Sequence, residues 1–184
     1  LCVAVNQSCE SQVRSWSAPT HSGPVHYVAA ETLDDANALN AAANLANGEY
    51  LFVMPETGTL SPVALYYLAE AALHGPFDVL YADEDSLDVE RRRVRPLFKP
   101  DWSPDLLTSC MYLGNPLIIR RERFLQSGGL SSDYAGAHLL DLMLRLADSP
   151  MRVCHIPRVL YHSLSPAPSA TESVARAIAD AVTR

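Results

Sequence analysis

The stretch Asn40-Ala41-Ala42-Ala43-Asn44-Leu45-Ala46-Asn47-Gly48-Glu49-Tyr50-Leu51-Phe52-Val53-Met54 changes character halfway along. Its first part is rich in alanine, the residue that loses least on entering a helix, and it continues a helical pattern that begins near Leu33. Asn47-Gly48 then supplies the two residue types that most readily take the left-handed turn ending a helix. From Tyr50 to Met54 every position is apolar, as in a strand covered on both faces. Helix, stop and buried strand together form the repeating unit of an α/β fold.

The same alternation extends in both directions. Strands are expected at Leu1 to Val5, Val25 to Ala29, Asp78 to Ala82, Pro116 to Arg120 and Val153 to Tyr161, and helices at Leu33 to Ala46, Pro62 to His74, Arg121 to Ser127 and Ala137 to Asp148. Ser61-Pro62 places proline in the first turn of a helix, and His74-Gly75-Pro76 ends it. Val89 to Met111 holds Pro96, Pro100 and Pro104 and no periodicity, which predicts a long ordered loop across one end of the sheet. Residues 1–162 read as one domain. Residues 163–184 read as a proline-containing linker and an amphipathic helix from Thr171, leading toward a further domain.

Composition narrows the function. With 184 residues, 48% of them hydrophobic, the chain can bury a core that offsets the entropy of ordering. A net charge of −7 removes the attraction to phosphate backbones on which nucleic-acid binding depends. The basic run Arg91-Arg92-Arg93 with Arg95 follows the acidic stretch Asp83 to Glu90 and reads as a solvated loop. Cys2, Cys9, Cys110 and Cys154 lack metal-site spacing and read as reduced, mostly buried thiols. No apolar run is long enough to span a membrane, so a cytoplasmic location is expected, free or at the inner face of a bacterial membrane. Leu1 already sits inside a strand pattern, which suggests an excerpt of a longer polypeptide.

Several blocks, in order, resemble glycosyltransferase family two, whose members have the GT-A fold. They are Asn40 to Tyr50, Tyr81-Ala82-Asp83-Glu84-Asp85, Phe98-Lys99-Pro100-Asp101-Trp102-Ser103-Pro104-Asp105-Leu106-Leu107, Ser127-Gly128-Gly129-Leu130, Asp141 to Leu146 and His155-Ile156-Pro157-Arg158-Val159-Leu160-Tyr161-His162. The closest flavour is that of bacterial enzymes building O-antigen and related surface polysaccharides. The resemblance implies a Rossmann-like α/β sandwich with a mixed, mainly parallel sheet, and a first strand that lies before Leu1. It also implies sugar transfer from a nucleotide-sugar to a glycan acceptor, with other domains of the same polypeptide or an active glycosyltransferase as partners.

Such transfer needs the leaving diphosphate neutralised, usually by a carboxylate-held divalent cation, and a base for the acceptor hydroxyl. The positions that carry these acids in the family are altered. Val5 and Asn6 stand where nucleotide-facing acids are expected, Pro55 and Thr57 where the metal-facing pair is expected, and Leu139 where the base is expected. Glu56 reads as part of a Pro-Glu-Thr-Gly turn rather than as a ligand, and His138, beside Leu139, reads as exposed or capping. No metal ligand set and no cofactor are therefore expected, with manganese or magnesium required only if this copy is active. Asp141 and His162 remain as candidate catalytic groups. Asn40, Asp83, Glu84, Asp85, Lys99, Asp101 and Trp102 are candidate substrate-binding residues, Trp102 by stacking on a sugar ring. For Asp83 to Asp85 a capped turn leading to Leu87 is an equal reading, for Trp102 plain packing, and for Asn40 a structural role. Three functions follow: a degenerate scaffold or acceptor-binding domain, an active metal-independent enzyme, and a carbohydrate-binding module.

Overall fold

The computed structural model of the protein describes residues 2–6, 26–30, 36–53, 58–164 and 171–183. In chain order these form β1 (Cys2–Asn6), β2 (His26–Ala30), α1 (Ala36–Leu45), β3 (Tyr50–Phe52), β4 (Gly58–Leu60), α2 (Ala64–Leu73), β5 (Val79–Leu87), β6 (Arg93–Leu97), α3 (Pro104–Leu107), β7 (Leu117–Arg120), α4 (Arg121–Gln126), α5 (His138–Ala147), β8 (Val153–Ser163) and α6 (Thr171–Thr183). A single 3-10 turn at Ser132–Tyr134 precedes α5.

β5 is the axis of the molecule. It lies between β7 and β8 in a six-stranded sheet ordered β3-β7-β5-β8-β4, and its far half also pairs with β6. Because it is covered on both faces, its residues divide by the two-residue period of a strand. Val79 and Tyr81 join one core cluster with Phe124 of α4 and Leu140 and Met143 of α5, while Leu80 and Ala82 join a second with Ala64 and Leu68 of α2. Helices thus cover both faces, and the α/β sandwich expected from the sequence is present.

The sheet is mixed, but antiparallel pairing predominates. Among the described residues β5–β8 and β1–β2 are parallel, whereas β3–β7, β5–β7, β4–β8 and β5–β6 are antiparallel. This corrects the expectation of a mainly parallel sheet. The short β4 and the edge strand β6 carry no clear apolar alternation, so neither was legible as a strand. Pro96 lies within β6, where the free outer edge tolerates a residue that cannot donate a hydrogen bond.

Two further expectations change. β5 runs on to Leu87, so Asp83 to Asp85 belong to a strand and not to a turn. The supposed loop between Val89 and Met111 contains β6 and then α3, whose start is set by Ser103 accepting from the Leu106 amide and by Pro104 in the first turn. α6 packs against the larger core through Val174, Ala177, Ile178 and Ala181. Its Asp180 accepts from the Tyr134 hydroxyl at 2.7 Å.

The pairing of β5 with β8 aligns the candidate site. Val79 to Ala82 pair in step with Val153 to Ile156, and the register then shifts twice, so that Asp85 faces His162. An unbroken register would bring Val159 opposite Asp85. The irregularity falls at Pro157-Arg158 and again at Leu160, consistent with proline's inability to continue a ladder.

Candidate active site

Each acid of Asp83-Glu84-Asp85 is met by a different partner. Asp83, 3% exposed, accepts at Oδ1 from the Lys99 amide at 2.9 Å and from His155 Nε2 at 3.0 Å. The other ring nitrogen of His155, Nδ1, lies 3.0 Å from Asp101 Oδ1. The imidazole stacks on Tyr81 with centroids 4.8 Å apart and planes 10° apart. Burial pushes the Tyr81 phenol up, so its hydroxyl stays a donor, and it holds the Pro100 carbonyl at 2.7 Å. His155 thus joins the middle of β5 to the chain that crosses it at Lys99 to Asp101.

Glu84 accepts from the Asn115 amide at 3.3 Å and lies 3.4 Å from the Lys99 ammonium. That ammonium is itself buried, donating to the carbonyls of Ala82, Leu113 and Asn115 at 2.6, 2.7 and 2.8 Å. Burial pushes Lys99 down to about 8. Gly114 runs beside this knot with φ +47, and a methyl group there would fall on the Glu84 carboxylate. Lys99 is therefore a structural clamp and not a sugar ligand.

Asp85, 4% exposed, is held on both oxygens: Arg93 Nε donates to Oδ2 at 2.6 Å, and His162 Nδ1 to Oδ1 at 2.5 Å. A carboxylate only accepts, so His162 carries its hydrogen on Nδ1, leaving Nε2 as the nitrogen able to take a proton. Asp85, His162, Asp83, His155 and Asp101 thus form a row along the β5–β8 seam, the most concentrated chemistry among the described residues.

The remaining candidates lie elsewhere. Asn40 sits on α1, where its amide donates to the Leu130 carbonyl and accepts from the Leu130 amide, both at 2.8 Å. Gly129 beside it has φ +73, and a Cβ there would strike the Asn40 carboxamide. Asn40 therefore staples α1 to the Gly128-Gly129-Leu130 turn. Asn40→Ala is expected to lower the unfolding free energy by about 2 kcal/mol, because two backbone groups lose their partner. An unchanged urea midpoint would refute this.

Asp141 is 1% exposed on α5 and pairs with Arg145, whose Nε and Nη2 reach Oδ2 at 3.0 and 2.8 Å. Its side-chain partner is this arginine and none of the acids or histidines of the β5–β8 seam. Leu139 packs against the larger core cluster. His138 is 5% exposed, with Nδ1 2.6 Å from the Ser131 carbonyl, so the expectation of an exposed or capping side chain is corrected. Trp102 packs against the larger core cluster and lines a cleft at the C-terminal end of α5 with Met151. Of the thiols, Cys110 is exposed and Cys154 half-buried, against the expectation of burial for these two; Cys9 and the side chain of Cys2 lie outside what is described. Pro55, Glu56 and Thr57 lie outside the described residues, and Val5 and Asn6 are described only as part of β1.

His155, Arg93 and Arg145 were not singled out from the sequence. The signal for His155 was available, since it stands seven residues before His162 on one strand, but only the register shift in β8 shows that each meets its own aspartate. The donor set does not suit a divalent cation as folded. Among the described residues no three His, Cys, Asp or Glu side chains are arranged to hold a metal ion. The oxygens a cation would need already receive hydrogen bonds from His155, Lys99, Arg93 and His162.

The chain is similar to known proteins in sequence and in fold. It is 44% identical over 131 residues to the O-antigen biosynthesis protein RfbC of Myxococcus xanthus, covering 71% of this chain and 10% of that protein. It is 28% identical over 129 residues to the uncharacterized protein y4gI of Sinorhizobium fredii, covering 68% of this chain and 14% of that one. The chain therefore matches only a small part of the length of these relatives. Its fold is similar to that of S. aureus TarS: TM-score 0.73 at 15% identity, over 100% of this chain and 34% of that one. Against TarS residues 1–349 in complex with UDP-GlcNAc the TM-score is also 0.73, at 14% identity, over 99% of this chain and 57% of that one. No protein-family model matches the chain. No helix among the described residues is long and apolar enough to cross a membrane.

Proposed function

Taking this chain as what it is, a GT-A-like glycosyltransferase domain of the surface-polysaccharide kind, we propose that it serves as an acceptor-binding or scaffolding domain and has lost cation-dependent sugar transfer. The observation that carries this reading is the closure of Asp83, Glu84 and Asp85 by His155, Lys99 and Arg93 with His162. To bind a metal, Asp85 would have to release Arg93 and His162, and Asp83 would have to release the amide that orders the Lys99 segment. Breaking such buried contacts costs on the order of several kcal/mol, which a weakly held cation does not return. The replacement of the expected base by Leu139, packed against the core, works in the same direction.

The nearby structure in complex with UDP-GlcNAc makes a nucleotide-sugar the appropriate probe. Calorimetry with UDP-GlcNAc and with a thymidine-linked sugar, each with manganese, is expected to give no saturable heat in the micromolar range. Micromolar, manganese-dependent binding that disappears in Asp85→Ala would overturn the proposal.

One observation favours a second reading. Asp85 orients His162 so that Nε2 is the basic nitrogen, and among the described residues Nε2 has no hydrogen-bond partner. An aspartate that fixes the tautomer of a histidine base is a recurrent catalytic device. In this reading the domain transfers sugar without a metal, and His162→Asn, whose amide can still donate to Asp85, abolishes metal-independent turnover at a small cost in stability.

A further inference from the structure

A cleft of about 360 Å³ opens between the loop entering α3 and the chain leaving α5, lined by Trp102, Pro104, Asp148, Ser149, Pro150 and Met151. It lies at the other end of the sheet from Asp85 and His162. Met151 precedes β8 by two residues, whereas His162 faces Asp85, six residues along β5 from the Val79 that pairs with Val153, roughly 20 Å further along the sheet. No residue of the cleft takes part in the seam of acids and histidines described above.

We propose that this cleft is a carbohydrate-binding subsite that holds one pyranose ring of a glycan against the Trp102 indole. The chemistry is that of sugar recognition. A pyranose has an apolar face of C–H groups that packs on an aromatic plane and an edge of hydroxyls that need hydrogen-bonding groups. Trp102, Pro104 and Met151 supply an apolar floor, Asp148 and Ser149 line the rim, and the Ser149 hydroxyl, which accepts from Arg123 and donates to the Leu146 carbonyl at 3.4 Å, keeps a second lone pair for a sugar hydroxyl.

The wall is rigid before any ligand arrives. Arg123 donates from Nη2 to the Ser149 hydroxyl at 3.0 Å and to the Pro150 carbonyl at 3.3 Å, tying residues 149–150 to α4. On the opposite side, Tyr112 and Ser103 are linked through the tyrosine hydroxyl at 2.8 Å, fixing the segment that carries Trp102. Such preorganisation lowers the ordering cost of binding. The volume accepts a single ring and not a long groove-bound chain, so the subsite suits a terminal or branching residue of a polymer. The proposal stands whether or not the domain transfers sugar, because it uses none of the residues argued for or against transfer.

The test is saturation-transfer NMR on the chain with a panel of methyl glycosides at millimolar concentration: α-rhamnoside, α-mannoside, α-galactoside and β-N-acetylglucosaminide. At least one is expected to receive saturation on its ring protons, and Trp102→Ala should weaken that binding about tenfold or more. Because Trp102 also packs on the core, Ser149→Tyr is the second variant; it fills the cleft, leaves the indole in place and should abolish the signal. Trp102→Phe and Asp85→Asn should retain it. Absence of transfer to every glycoside would overturn the proposal, and so would transfer that survives Ser149→Tyr or is lost in Asp85→Asn. Loss of nucleotide-sugar binding or transfer, by contrast, bears only on the seam between β5 and β8.

Discussion

Lys99→Met should destabilise the domain by about 3–5 kcal/mol, the loss typical of removing one member of a buried charged cluster. Methionine matches the length and apolar volume of the lysine stem but carries no hydrogen to donate. The carbonyls of Ala82, Leu113 and Asn115 would lose their shared donor, and Glu84 would lose its counter-charge. These four groups come from β5 and from the segment before β7, so the knot ties the crossing chain to the sheet at one point. Urea unfolding at neutral pH measures the effect directly. A loss below about 1 kcal/mol would show that the carbonyls find other donors and that Lys99 is not the clamp.

The same residue sets a pH signature. Burial lowers Lys99 to about 8, whereas in the unfolded chain it titrates near the ordinary value of 10.5. Between those values the unfolded state holds more protons than the folded one, so this group makes stability rise with pH. Below pH 8 both states are charged and the desolvation cost is constant; above it the folded state sheds its proton and the cost is relieved. A shift of this size corresponds to roughly 3 kcal/mol over the whole window. Tyr81, Tyr112 and Tyr161 are pushed up by burial and act in the opposite direction once unfolded tyrosines ionise near 10. The clean interval is therefore pH 8 to 9.5, where the wild-type chain should gain stability relative to Lys99→Met.

How much of this was legible before the structure depends on the physics that placed each residue. The helix-stop-strand unit follows from local pattern, with the strand described from Tyr50 to Phe52, and so do the covered strands around Leu80 and Ile118. β4 and β6 do not, because a three-residue strand and an arginine-rich edge strand owe their pairing to β8 and β5 and not to their own composition. The blocks of the resemblance named residues that the fold brings together, Asp83 to Asp85 with Lys99, Asp101 and His162, without saying what each side chain touches. Lys99 was read as a binding residue because it is a charge in a loop, yet three backbone carbonyls had claimed it. Trp102 follows Asp101 directly, but it lines the cleft beside Met151 and takes no part in the row of acids and histidines. The pairing of two histidines with two aspartates was out of reach, because it depends on a register shift that only long-range pairing sets.

Asp141 offers the sharpest separation between holding the fold and doing chemistry. Arg145 spends its guanidinium on three groups: the Asp141 carboxylate and the carbonyls of Ser127 and Gly129, the latter at 2.5 and 2.6 Å. It thereby joins the first turn of α5 to the turn that Asn40 staples from the other side. Asp141→Asn keeps the shape and removes the charge, so about 2–3 kcal/mol of stability should go, tempered by the partial exposure of Arg145. Arg145→Gln should cost a similar amount, and a double-mutant cycle should return a coupling of about 1–2 kcal/mol, since the second change finds the interaction already gone. Additive losses would dissolve the pair. The decisive comparison is with His162→Asn, whose amide can still donate to Asp85: that change should move the urea midpoint far less than Asp141→Asn while acting on any turnover the domain has. Asp141→Asn should shift the midpoint and alter turnover only in proportion to the fraction of chains still folded.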